Sequence, residues 1–200
     1  LSVPKEVYTG REIQEELIPD VLEASRSGKV KGLGGPPVWL YILSMDFLKA
    51  TVLRFESERE WVFEDLLFNF YLFSKLSKAI IVPEHLYYYN LSNTQSVTAK
   101  KFPIEKFFGM KKLFLHLFDE RKALGYPDEV DLRLEDLFVS LTTMQVVKVV
   151  VNKAAYDDEE EFNDLLRTIL SDDLFYRCLT TQSLNENFGK HMKDFLSLVV

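Results

Sequence analysis

Two adjacent carboxylates, Glu64 and Asp65, are the residues of this sequence best placed for acid–base chemistry. They stand near the start of a predicted helix, residues 63–78, whose interior is apolar on nearly every side. Free backbone N–H groups and the positive end of the helix dipole stabilise a charged carboxylate there. A carboxylate held rigidly at the tip of a buried helix is also aimed as a general base requires. The commoner role of acids in a first helical turn is simply to complement the dipole.

The other residue types that carry chemistry are scattered along the chain. His85, His116 and His191 lack the spacing of metal ligands, and His116 is predicted to be solvated on a polar helix face. The single Cys178 excludes a disulfide framework and is predicted to be a packed thiol. The glycine-rich segment 28–35 lacks the Gly-Lys-Ser/Thr ending of a phosphate loop, so we expect a connector or a lid.

The composition excludes several classes of protein. Among 200 residues there are 31 acidic and 24 basic side chains, a formal charge of −7, which argues against a nucleic-acid partner. An apolar content of 47% is that of an ordinary globular chain. The most apolar long run, residues 137–151, is too short and too interrupted for a membrane span. The start at Leu1, without a Met, suggests a piece of a longer protein.

Periodicity predicts an α+β chain that is predominantly α-helical, with a few short strands. A helix is expected over 11–26, and Pro19, which lies inside it, is expected to break or kink it. Further helices are predicted over 45–50, 63–78, 104–124, 131–152, 159–170, 172–179 and from 184 or 187 to the end, and strands over 52–55, 79–82 and 86–90. The chain divides near Phe102 into a mixed α+β part, residues 1–102, and a helical bundle, residues 103–200.

An ordered set of short motifs in residues 38–98 resembles the C-terminal half of the catalytic domain of bacterial family 2 glycosyltransferases. The set consists of Trp39, Met45-Asp46-Phe47-Leu48, Leu53-Arg54-Phe55, Glu64-Asp65-Leu66-Leu67-Phe68, Ala79-Ile80-Ile81-Val82-Pro83-Glu84, Leu86-Tyr87-Tyr88-Tyr89 and Ser96-Val97-Thr98. The resemblance covers about sixty residues, and the rest of the chain after Phe102 is similar to the variable tail of such enzymes. It departs from the family at Leu40-Tyr41, where Asn-Lys is common, and at Asn90, where Arg is common.

The resemblance implies an acceptor site around the Glu-Asp pair. Asp65 would be the general base toward an acceptor hydroxyl in an inverting transfer, and Glu64 would position the acceptor or cap the helix. Trp39 would offer an apolar face to a sugar ring, with core filling as the alternative. Of the tyrosines, which alternate across a strand, Tyr87 and Tyr89 would line the acceptor groove while at least one face packs in the core.

The resemblance also implies what a full-length enzyme would contain. A hexosyltransferase-like enzyme of surface polysaccharide synthesis would use a nucleotide-diphosphate sugar and a glycan acceptor, with Mn²⁺ or Mg²⁺ held by an Asp-x-Asp motif of the nucleotide-binding half of the GT-A fold. No Asp-x-Asp occurs in this sequence, so we expect no cofactor and no turnover in this fragment alone. The expected location is the cytoplasm, with peripheral membrane contact and a homodimer both left open. The alternative is a non-catalytic helical interaction module.

Overall fold

The computed structural model describes residues 7–22, 37–82, 86–88, 102–156 and 158–181, and these are predominantly helical with one small sheet. Two three-residue strands, β1 (Val7–Thr9) and β2 (Lys78–Ile80), pair antiparallel with Tyr8 opposite Ala79. The strand predicted over 79–82 therefore forms, but it begins one residue earlier and already ends at Ile80. The strand predicted over 52–55 is wrong, because Val52 adopts a left-handed conformation (φ 56°) that ends the preceding helix. Residues 86–88 also lack strand structure, and 89–90 lie outside the described residues.

The first helix accommodates its internal proline through a π turn. Residues Ile13–Leu17 form that turn, in which the Ile18 N–H donates to the Ile13 carbonyl, and α1 (Ile18–Leu22) continues it. A wider turn of this kind re-routes backbone hydrogen bonds around Pro19, which has no N–H to donate. The helix predicted over 11–26 is thus confirmed as far as the described residues extend, and a π turn precedes Pro19 where a break or a kink was expected.

The short elements that precede the Glu-Asp pair are a 3₁₀ turn and a helix. Val38–Leu40 form the turn, and α2 spans Met45–Thr51 with the Ser44 hydroxyl accepting the Phe47 N–H at 3.4 Å. An exposed loop follows α2 and leads into α3 (Glu64–Lys75), which is three residues shorter at its end than predicted. A short connection joins the end of α3 to β2.

The second half of the described chain consists of four helices at close to their predicted positions. They are α4 (Ile104–Ala123), α5 (Glu129–Val151), α6 (Glu159–Leu170) and α7 (Asp173–Thr180), with a 3₁₀ turn at Lys153–Ala155. Asp158 and Asp172 cap α6 and α7 by accepting backbone N–H groups. The valine-rich end of α5 is helical, because its side chains pack in a helix bundle that overrides their β preference. The last predicted helix lies outside the described residues.

One hydrophobic core runs through α1 and α3 to α7, whereas α2 contributes no buried side chain. Phe114 of α4 contacts Phe138 of α5 at 5.0 Å between ring centroids, and Phe138 meets Phe175 of α7 edge-on at 6.5 Å. The N-terminal α1 also packs on α5. The division of the chain near Phe102 stays a prediction. No helix in the described ranges is both long and apolar enough to traverse a bilayer.

A buried arginine fixes the turn between α4 and α5. Arg121 pairs with Asp131 at 2.6 Å and with Asp128 at 2.9 Å, and it also donates to the Tyr126 carbonyl. Tyr126 in turn donates its hydroxyl to the Phe70 carbonyl of α3 at 2.6 Å. This chain of contacts holds α3 against the bundle and so fixes the helix that carries Asp65.

Candidate functional site

Asp65 lies in the first turn of α3, as the sequence predicts. The residue before the helix, Phe63, has φ 62° and ψ 51° and makes no side-chain cap hydrogen bond. A left-handed conformation costs a residue other than glycine about 1–2 kcal/mol, so packing must hold Phe63 in place. Glu64 and Asp65 are both half-buried, whereas the five residues that follow are buried. The carboxylates therefore stand where the apolar helix emerges from the core.

The Asp65 carboxyl group is held against the 3₁₀ turn of residues 38–40. Partial burial raises the pKa of Asp65 above its ordinary value, and a hydrogen bond from the Val38 backbone opposes the rise. Desolvation disfavours the charged form, while a donated N–H favours it. The result is a carboxylate that is oriented by the backbone and more basic than a free aspartate, as general-base work requires.

Tyr41 stands at the end of the same turn. Its N–H donates to the Val38 carbonyl at 3.1 Å, and its ring meets Phe73 of α3 edge-on, with centroids 5.9 Å apart. Burial raises the pKa of the Tyr41 phenol well above its usual range, and the charge of Asp65 raises it further. Tyr41 is therefore a neutral phenol within the electrostatic reach of Asp65.

Trp39 and Tyr87 form an aromatic pair on the outside of this turn. Their ring centroids lie 4.4 Å apart with an interplanar angle of 26°, so the rings are stacked. Trp39 is 40% exposed and Tyr87 is 53% exposed. Core filling, the alternative for Trp39, is excluded by this exposure. The prediction that one face of the tyrosine trio packs in the core fails for Tyr87 and Tyr88, both exposed, and Tyr89 lies outside the described residues.

The structure thus brings four of the site elements together. Asp65 contacts the backbone of Val38, and Val38 is the chain neighbour of Trp39, which stacks on Tyr87. Glu64 follows Phe63 at the same helix tip. The residue that sequence reasoning left without a role is Tyr41, and the only signal for it was its position two residues after Trp39.

A second polar cluster, which sequence reasoning missed, lies between α3 and α4. Nε2 of His116 is 3.0 Å from the Tyr71 hydroxyl, and Tyr71 also hydrogen-bonds Glu120. Burial, with the charges of Glu120 and Glu56, raises the pKa of Tyr71 to about 12.

The prediction that His116 is solvated is wrong, because a loop residue covers it. The Trp61 ring lies over the imidazole at 4.8 Å between centroids, and Lys112 lies 4.2 Å from the centroid of the Trp61 ring. Since residues 112 and 116 are one turn apart, both face the same loop. The cluster fastens the loop after α2 onto α4.

The other residues that the sequence offers as nucleophiles or metal ligands form no reactive or metal-binding site among the described residues. Cys178 is buried, and burial together with the charge of Glu135 raises the pKa of its thiol to about 11, which supports a packed thiol. Within the described ranges, no group of three or more His, Cys, Asp or Glu side chains could hold a metal ion. His85, His191 and the segment 28–35 lie outside the described residues.

Comparison with known proteins gives no relative. No family profile, no curated protein and no solved structure matches this chain.

Proposed function

We propose that this chain is the acceptor-side part of an inverting, nucleotide-sugar-dependent glycosyltransferase. The observation that carries the proposal is the junction of Asp65 with the turn that carries Trp39, on which Tyr87 stacks. An oriented carboxylate of raised pKa can take a proton, and an exposed aromatic surface beside it suits the apolar face of a sugar ring. The motif resemblance in residues 38–98 supports the same function.

In the proposed reaction Asp65 removes the proton of an acceptor hydroxyl. The acceptor oxygen then forms a bond to the anomeric carbon of the donor sugar while the bond from that carbon to the nucleotide diphosphate breaks. One displacement inverts the anomeric configuration, and the proton stays on Asp65 until it passes to water. A divalent metal would neutralise the charge of the leaving diphosphate, but no group in the described part of the chain fits such an ion.

The test is a transfer assay on the longer enzyme that the resemblance implies. The change Asp65→Asn removes the base and keeps the shape of the side chain, so kcat should fall about 10²- to 10⁴-fold while donor affinity is unchanged. Asp173→Asn is the matched control, because Asp173 is an exposed acid in the first turn of α7. Equal transfer rates in the parent and the Asp65 variant would reject the assigned base.

A non-catalytic helical interaction module is the second candidate. The observation in its favour is that Phe108 and Leu115, seven residues apart on α4, are 50% and 43% exposed. Residues at that spacing share one helix face. If Phe108→Ser and Leu115→Ser abolish a partner's binding while Asp65→Asn has no effect on any transfer, this candidate is the correct one.

A further inference from the structure

A cluster of titratable side chains fastens the loop of residues 52–63 onto α3 and α4. The Trp61 ring of this loop lies over the His116 imidazole of α4, with centroids 4.8 Å apart and ring planes at 39°. Nε2 of His116 lies 3.0 Å from the Tyr71 hydroxyl of α3, and Tyr71 also hydrogen-bonds Glu120 of α4. His116 therefore contacts both the loop and α3. An imidazole is also the side chain that ordinarily changes charge between about pH 5 and 8.

Protonation of His116 fixes the direction of both hydrogen bonds. A neutral imidazole has one N–H, so its Nε2 either donates to Tyr71 or accepts the phenol proton, which is then lost to Glu120. An imidazolium has an N–H on each nitrogen, so Nε2 donates to the Tyr71 oxygen and the phenol proton goes to the Glu120 carboxylate. Burial and the charges of Glu120 and Glu56 raise the pKa of Tyr71 to about 12, so the phenol keeps its proton when the imidazole titrates.

The surroundings of the imidazole attract a positive charge. Among residues 56–61 and the residues within one helical turn of His116 or Tyr71, the carboxylates are Glu56, Glu58, Glu60, Asp119 and Glu120. The cations of the same set are Arg59, Lys75 and Lys112. The π face of Trp61 adds to the attraction, because it lies within the roughly 6 Å at which aromatic rings attract cations. Lys112, which lies 4.2 Å from the centroid of the same ring, opposes it by an amount that does not vary with pH, since a lysine stays charged where an imidazole titrates.

We propose that the contact of Trp61 with His116 is a proton-dependent latch, in which the imidazolium holds the loop more tightly than the neutral imidazole does. The stabilisation is present in mildly acidic solution and is lost as the pH rises through the range in which the imidazole gives up its proton. Because the loop leads directly into α3, the proton on His116 controls how firmly the chain before Glu64 and Asp65 is held. The latch does not depend on the proposed function, since none of its groups belongs to the candidate site.

A double-mutant cycle at two pH values tests the latch. Urea unfolding of the parent, Trp61→Leu, His116→Asn and the double variant gives the coupling between the two side chains as a factor in the unfolding equilibrium constant. This factor should be at least about threefold larger at about pH 5.5 than at about pH 8, because only the imidazolium is attracted to the Trp61 ring as a cation. A threefold change corresponds to about 0.7 kcal/mol.

Hydrogen exchange in the parent is a second measurement, and it needs no substitution. The Trp61 N–H donates to the Ser57 carbonyl at 3.0 Å, so exchange of this amide reports opening of the loop. After correction for the intrinsic pH dependence of exchange, its protection should be at least about threefold greater at about pH 5.5 than at about pH 8. His116→Asn should abolish the difference. His85→Gln and His191→Gln, which remove the other two histidines of the chain, are the matched controls and should retain it.

The direction of the pH dependence and the histidine that causes it decide the outcome. Loss of the difference in His116→Asn alone supports the latch. Coupling and protection that do not vary with pH, or that grow as the pH rises, overturn it. A difference that persists in His116→Asn, or that disappears in either control, assigns the proton to another group and overturns it as well. If the Trp61 variants fail to fold, hydrogen exchange in the parent decides the matter by itself.

Discussion

At the scale of single residues, Asp65 illustrates how a partly buried carboxylate costs stability. Its carboxyl group is partly withdrawn from water, with a backbone donor at Val38 and no cation among the causes of its pKa shift. A general base benefits from this environment, because desolvation makes the carboxylate hold a proton more strongly. The folded protein is disfavoured by the same effect, since the unfolded chain solvates the charge fully.

The pH dependence of stability should reveal this cost. The pKa of Asp65 is raised in the folded protein from an ordinary value of 3.8, so the folded state binds the proton more tightly than the unfolded state. The free energy of unfolding of the parent should therefore fall relative to Asp65→Asn as pH rises from about 3.8 through the folded pKa, and the difference should be constant above that. We expect a difference below about 1 kcal/mol, because the carboxyl is only partly buried.

Urea denaturation at a series of pH values measures this difference. Asp173→Asn, which alters an exposed acid in a helix first turn, is the control and should parallel the parent. If the parent instead gains stability relative to Asp65→Asn as the pH rises, the folded protein stabilises the ionised form of Asp65. That result would contradict the raised pKa.

At the scale of elements, the loop of residues 52–63 decides where α3 begins. Phe55 stacks on Phe68 of α3 at 4.0 Å between centroids, and Trp61 lies over His116 of α4. Next to Trp61, Val62 packs directly on Gly109, where a Cβ would lie 2.5 Å from the Val62 Cγ2 atom. These contacts anchor the loop that leads through the left-handed Phe63 into Glu64 and Asp65.

The Val62–Gly109 contact predicts that Gly109→Ala changes stability in opposite directions in the parent and in the Val62→Ala background. In most helices Gly→Ala adds up to about 1 kcal/mol of stability. Here Gly109→Ala should destabilise the protein by about 1–2 kcal/mol, because the new methyl group overlaps Val62. In the Val62→Ala background the same substitution should stabilise instead.

Thermal or chemical unfolding of the four proteins of this double-mutant cycle gives the coupling energy. Additive effects of the two substitutions, within about 0.5 kcal/mol, would mean that the loop does not press on α4 at this point.

At the scale of the whole molecule, α1 and α3 to α7 share one core, while the candidate site lies at its edge. The bundle of α4, α5 and α7 packs through Phe114, Phe138 and Phe175, and α1 packs on α5. Around the candidate site, by contrast, several apolar side chains are exposed, including Ile42 at 94% and Tyr88 at 90%. The proposed function explains this contrast by assigning the donor-binding half of the enzyme to chain outside this sequence.

Isothermal titration calorimetry with a nucleotide diphosphate and Mn²⁺ tests that assignment. We expect no micromolar binding to this chain, because its candidate site is acidic and the described residues supply no metal-binding group. The longer enzyme, titrated in parallel, is the control and should bind. Micromolar affinity in this chain by itself would place a donor site within the present sequence.

The helices and the position of the candidate base follow from the pattern of residue types along the chain. Apolar periodicity predicts α3 to α7 to within a few residues, because a helix that buries one face must repeat its apolar side chains every three to four positions. The first-turn placement of Asp65 follows from the same pattern. The sequence also places Pro19 inside the first helix, but it does not predict the π turn that precedes this proline.

Which residues come into contact depends on how the helices and loops pack. The stacking of Trp39 on Tyr87, the hydrogen bond from Val38 to Asp65 and the placement of Trp61 over His116 join segments that are 27 to 55 residues apart. Local periodicity carries no information about such pairs, since they depend on how helices pack and on backbone conformations that the residue types disfavour, as at Val52 and Phe63. The residue pattern of the chain therefore predicts the start of α3, whereas packing determines which side chains surround it.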